Sequence, residues 1–267
     1  MGNTVRLYLR YIGVSYRAQM QYRASFIMQT IGQFLINGIE FLGVWALFDR
    51  FGALPGWSLA VVAILYGMVN VAFAICDATS RGFDAFGVMV KSGDFDRLLL
   101  RPRSTVLQLA GQELTLRRIG RLGQGMVVLL WGASAGGIAW TWPRIFLMLA
   151  AILGGVCFFY GLIILQATMC FWTTETLEIV NAFTYGGVYA GQYPISIYRT
   201  WFRRFLTFVV PLAFVNYYPA QAILGRSDAF GVPWIVPWLA PLVGIVFLTV
   251  ALNVWRLGVR RYRSTGS

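Results

Sequence analysis

The stretch KSGDFDRLLLRPRS, residues 91–104, is the only long polar passage in a chain of 267 residues that otherwise alternates apolar runs with short polar turns. Its neighbours decide the fold class. The chain is 58% hydrophobic and only 12% charged, with a mean hydropathy of +0.66, whereas soluble domains carry about 25% charged residues. Each membrane-crossing helix consumes about 20 apolar residues, so the composition predicts an all-α integral membrane protein, a single transmembrane domain over 1–267.

The formal charge is +12, from 22 basic residues of which Lys91 is the only lysine. The arginines cluster between apolar runs, as cytoplasmic loops do under the positive-inside rule, so a membrane surface and not nucleic acid is the expected partner. Residues 5–22 read as a helix lying on the membrane: at 100° per residue Arg6, Arg10 and Arg17 share one stripe, with Val5, Leu9, Ile12, Tyr16 and Met20 beside it. The first spans are expected at 26–48 and 57–76. Four arginines precede the first of these and only Arg50 lies between them, which puts the N-terminus inside. Residues 81–121 hold eight basic residues, Arg81, Lys91, Arg97, Arg101, Arg103, Arg117, Arg118 and Arg121, and form a cytoplasmic loop. Further spans are expected at 122–142, ending in Trp140 and Trp142, and at 145–172 after an outer turn at Pro143 and Arg144.

Two arrangements compete for residues 174–226. Either 177–193 is the fifth span and 198–224 a broken, re-entrant hairpin dipping in from outside, or 174–204 lies on the cytoplasmic surface and 205–224 is the fifth span. Arg199, Arg203 and Arg204 favour the second. Pro211 and Pro219 favour the first, because interrupted helices at membrane depth need protein or water around the freed backbone groups. Both give a sixth span at 234–255 and a cytoplasmic tail carrying Arg256, Arg260, Arg261 and Arg263.

The chain has no histidine and no Gly-x-x-x-x-Gly-Lys-Ser/Thr loop, so it carries neither a serine triad nor a nucleotide cradle of its own. Cys76, Cys157 and Cys170 sit in apolar runs without metal-ligand spacing. Glu40, with Asn37 one turn before it, lies within the first span, where a carboxylate is expensive and by default faces the bundle interior or a water-filled path. With Asn70 these are candidate substrate-path residues, although hydrogen bonds between helices explain isolated amides more often. Gly154, Gly155, Gly186, Gly187 and Gly191 read as close-packing positions.

The order of parts resembles the permease subunits of type-2 ATP-binding-cassette transporters. An amphipathic N-terminal helix leads into six spans. The basic loop fits that family's pattern at Gly93, Asp96, Leu98, Leu99, Pro102 and Ser104, and Tyr193-Pro194 is followed late in the chain by Asn216 and Pro219. The resemblance implies an exporter in the plasma (inner) membrane of a bacterium, with both termini cytoplasmic. Two permeases, often non-identical, pair there with cytoplasmic ATPase subunits that bind the ATP and Mg, and this chain holds no cofactor itself. The loop is then the coupling element, where Phe83, Phe86 and Val90 are expected to insert as apolar knobs into the ATPase. Asp84, Asp94, Asp96, Arg97 and Arg101 are expected to add charge pairing around them, with Gly93, Leu98, Leu99 and Pro102 in the same motif. The alternative class is a secondary transporter or channel that needs no ATPase.

Overall fold

The computed structural model describes the backbone of residues 2–52, 56–173, 177–226 and 233–263, and the side chains of 10–11, 13–52, 56–173, 184–226 and 233–263. All regular structure among them is helical: α1 (Gly2–Met20), α2 (Arg23–Phe51), α3 (Leu59–Thr79), the short α4 (Phe86–Lys91), α5 (Phe95–Leu99) and α6 (Thr105–Gln112), then α7 (Ile119–Ala135), α8 (Trp142–Met169), α9 (Leu177–Gly191), α10 (Thr200–Arg204), α11 (Leu212–Val215), α12 (Tyr217–Ile223) and α13 (Val236–Arg261). Four of these, α2, α3, α8 and α13, are long and apolar enough to cross a membrane, and a fifth if the bent pair Thr200–Val209 and Leu212–Ile223 counts as one span.

Burial follows sequence. α3 is apolar on every side and lies at the centre with 83% of its apolar window buried, whereas α2 has 11% buried and presents its apolar surface outward. A helix hydrophobic all round needs neighbours all round, and α3 finds them in α7, α8 and α9. The pairing of α8 with α13 rests on small residues. A Cβ on Gly154 would lie 2.6 Å from the Pro241 carbonyl oxygen, and one on Gly244 would collide with the Gly154 carbonyl, so the two backbones touch as they do where membrane helices associate through glycine.

Several boundaries differ from the sequence reading, each for a local reason. The helix expected over 122–142 stops at Ala135, because Gly137 takes φ +63° and Trp140 Nε1 donates to the Ala133 carbonyl at 3.0 Å, folding the segment back on the helix end. Pro143 and Arg144, expected in a turn, belong to the first turn of α8, where proline loses no hydrogen bond. α9 ends at Gly191, shortly before the Tyr193-Pro194 pair. Arg121, counted as a loop charge, is inside α7 and 6% exposed. On α1, Arg10 and Arg17 are exposed; the side chains of Val5, Arg6, Leu9 and Ile12 lie outside the described residues.

Where two arrangements competed, Leu177–Gly191 is a helix, followed by the bent pair Thr200–Val209 and Leu212–Ile223, which turns by 74°. Its two ends are tied to known neighbours. The Tyr198 hydroxyl donates to the Ala190 carbonyl at 3.1 Å, while Arg226 donates to the Gly56 carbonyl and sits 5.4 Å over the Trp57 ring, at the turn between α2 and α3. Between them Phe205–Val209 forms a π-helical turn, and the Asn216 amide donates to the Gly191 carbonyl at 2.6 Å.

Candidate functional site: the polar loop and the strip above it

Residues 81–118 fold as a compact cap on the ends of α3, α8 and α13. The cap is pinned at both margins. Where the chain leaves α3, Asp77 pairs with Arg118 at 2.9 Å, and the Thr115 amide donates to the Ala78 carbonyl at 3.0 Å. On the far margin Gln19 of α1 acts through both ends of its amide, donating to the Leu114 carbonyl at 2.6 Å and accepting from the Leu116 amide at 3.0 Å. This staple joins the N-terminal helix to the loop, and no sequence pattern singled it out.

The interior of the cap is aromatic. Phe86 lies 5.1 Å from Phe95, 5.2 Å from Phe171 and 4.9 Å from Trp255, ring centroid to centroid. Phe83 meets Trp255 at 5.9 Å, and Tyr262 meets Phe95 at 5.0 Å. Such ring pairs contribute about 0.5–1.5 kcal/mol each beyond their buried area, so the loop is locked to the last turns of α8 and α13. Trp255 Nε1 adds a bond to Thr105 Oγ1 at 2.9 Å.

This geometry corrects the knob expectation. Phe83, Phe86, Val90 and Leu98 are buried in the chain's own core and have no surface to offer a partner. Short helices have two faces, and here the ring-bearing face turns inward. The opposite face carries Val88, 69% exposed, and Leu100, 85% exposed, with Asp84, Asp94, Arg97, Leu99, Arg101 and Pro102 also exposed around them. Val88 and Leu100 were missed by the sequence reading, although they lie opposite the phenylalanines and could have been found as the remaining apolar positions on that opposite face.

Local bonds shape the exposed face. Arg81 pairs with Asp84, whose carboxyl is pushed above its usual range by burial while Arg81 opposes the shift. Asp94 accepts from Ser92 Oγ at 2.7 Å and pairs with Arg97 at 3.3 Å. Gly93 stands at φ +75°, a left-handed conformation suited to glycine, and lets α4 turn directly into α5. Asp96 lies half-buried on α5. The Gln108 amide donates to the Leu98 and Arg103 carbonyls at 3.1 and 3.2 Å, tying the end of α5 and the loop after it to α6.

The candidate path residues come together as a buried strip between α2, α3 and α7. The Tyr66 hydroxyl donates to the Asn37 carbonyl at 3.0 Å. Asn70 donates to the Tyr66 carbonyl at 2.9 Å and accepts from Arg121 Nε and Nη2 at 3.1 and 2.9 Å. The Arg121 guanidinium also sits 4.6 Å over the Phe73 ring. Asn37 spends its own side-chain amide on the Gln33 carbonyl at 2.6 Å. Glu40 stands apart from these bonds: the Tyr189 hydroxyl lies 3.5 Å from Oε1, and Oε2 is buried without a hydrogen bond. Of the glycines read as packing positions, Gly155 and Gly191 face close neighbours, but Gly186 and Gly187 open onto space and line an apolar cavity of roughly 220 Å³ with Phe202 and Phe205.

Among the described residues, a helical bundle with several apolar spans and a polar cap on one end is that of an integral membrane protein. The family described as ABC-2 family transporter protein matches residues 34–266, and the chain belongs to that family. No curated protein and no solved structure matches it significantly.

Proposed function

We propose that the chain is the permease subunit of an ATP-driven exporter, and that the exposed face of the cap is where a separate cytoplasmic ATPase delivers force. The observation that carries this reading is the two-sidedness of residues 81–104. An exposed apolar pair, Val88 and Leu100, sits amid charges of both signs, directly on the far side of the aromatic lock that grips α8 and α13. A central apolar contact with a charged rim is the anatomy of a protein interface, and a rigid mount lets a push on the outer face move two long helices together. Because the chain carries no nucleotide cradle, ATP and Mg belong to the partner. A second permease, identical or related, completes the assembly. In this reading α7 and α9 complete six spans, both termini are cytoplasmic, and the bent pair is a re-entrant hairpin.

The test is co-purification of a cytoplasmic ATPase with the chain when the chain is expressed together with its neighbouring genes. Leu100→Asp and Val88→Asp should cut retention of the ATPase by at least about tenfold, since each places a charge at the centre of the contact, while the variant bundle stays monodisperse. Substitution of Gly93, which holds the left-handed turn between α4 and α5, or of Asp96 on α5 should impair transport by disturbing the shape of the same face. Full ATPase retention by both aspartate variants, or transport that persists when no ATPase is present, sinks the proposal in favour of a secondary transporter or channel.

A further inference from the structure

Where α6 and the inner end of α13 diverge, they leave a groove of roughly 650 Å³. Its floor is the Trp255 ring, its walls are Leu252 and Val259, and three guanidinium groups, those of Arg103, Arg256 and Arg260, stand around it. Among the described residues, no acidic side chain lines the groove and none of the three arginines takes part in an ion pair. Arg256 makes only a bond to Asn253 Oδ1, at 3.2 Å. Among the described residues, three exposed like charges are thus held around one apolar floor without a counter-charge, although Arg103 and Arg260 lie 157 positions apart in the sequence.

From this arrangement we infer that the groove is a binding site for an anionic phospholipid, its phosphate held between the arginines and one acyl chain laid along α13. Charge complementarity identifies the head. The carbonyls at the end of α13 carry only about half a negative charge between them, which three full cations outweigh. The wall identifies the tail: Leu252 continues outward, at helical spacing, into Ile245 and Leu242, which are 50% and 53% exposed on the same helix. The turn from apolar track to arginine occurs at Leu252–Arg256, the depth at which hydrocarbon gives way to headgroups. Basic pockets between helices on the cytoplasmic side favour anionic lipid heads for this reason. The site relies on the membrane orientation proposed above but not on the ATPase, whose docking face is the separate surface around Val88 and Leu100. Because Trp255 is both the groove floor and part of the aromatic lock, lipid occupancy would brace the mount of the cap.

Lipid retention by the full chain, measured by native mass spectrometry from detergent with phosphatidylglycerol or phosphatidylcholine of equal acyl length, tests this. Wild type should retain one phosphatidylglycerol selectively. The triple variant R103Q/R256Q/R260Q should bind it about a hundredfold more weakly, about fivefold for each cation removed. R97Q/R101Q, which removes charge from the docking face, should bind as wild type does, and inorganic phosphate should not displace the lipid at equal concentration. V259W fills the apolar wall with all charges intact and should also weaken binding, which keeps the test decisive if the triple variant does not fold. Equal retention of the two lipids by wild type, undiminished binding in both the triple variant and V259W, displacement by free phosphate, or a triple variant that loses the ATPase but keeps the lipid would each overturn the inference. Loss of the ATPase in R97Q/R101Q with lipid binding intact would show that the two surfaces stand or fall separately.

Discussion

Arg121 shows how far a single residue's meaning depends on its surroundings. By charge counting it is one more cytoplasmic arginine; in the fold it is 6% exposed, held by two bonds to Asn70 and by the face of Phe73. A buried guanidinium needs these partners, because a hydrogen bond to a charged group contributes about 1.5–3 kcal/mol and Asn70 supplies two of them. Asn70→Leu should therefore lower the thermal stability of the purified chain sharply, and Asn70→Asp, which restores an acceptor and adds a countercharge, should lose far less. Equal melting behaviour for wild type and Asn70→Leu would show that the bonds contribute nothing. The same comparison bears on Asn70 as a path residue: its side chain is already committed on both its nitrogen and its oxygen, so it serves the helix packing first. Glu40, with one carboxylate oxygen buried and unbonded, is the path candidate whose bonding the fold leaves incomplete.

Among the elements, the α8 and α13 pair carries the tightest backbone approach. A side chain at Gly244 would meet the Gly154 carbonyl, not a rotatable side chain, so Gly244→Leu can be accommodated only by separating the helices. Overpacking of this kind costs about 1–3 kcal/mol or more, and since both helices mount the cap, Gly244→Leu should also loosen the aromatic lock. The expected result is a lower melting temperature and faster proteolysis within 81–104. Gly43→Ala, where nothing lies within 4 Å, should leave both unchanged. Comparable proteolysis of the two variants would mean that the cap does not depend on this crossing. At the loop, the sequence grouped Phe83, Phe86 and Val90 and the structure buries all three, but a short helix in isolation does not reveal which face is inward. That was decided by Phe171, Trp255 and Tyr262, all distant in sequence.

On the scale of the whole molecule, the bent pair sets the topology of the second half of the chain. The hairpin reading puts Arg203 outside, against the charge rule. The 74° bend of the pair and the bond from Asn216 back to the Gly191 carbonyl support it, since they return the second half of the pair toward the end of α9. In a cysteine-free background, Arg203→Cys should react with a membrane-impermeant maleimide added to intact cells from outside. Labelling from the cytoplasmic side alone would replace the hairpin with a fifth span at 205–224. The sequence by itself determined the membrane class, the family resemblance and the placement of 91–104 on a polar end, because these rest on composition and on the cost of putting charge in hydrocarbon, which every residue registers locally. Only the tertiary structure decided that Phe83 and Phe86 are anchors, that Val88 and Leu100 are the exposed pair, that Arg121 is interior, and that Arg103 meets Arg256 and Arg260 around one groove. Those outcomes depend on which distant side chains fill the space beside each helix, and burial of that kind is a property of pairs, not of positions.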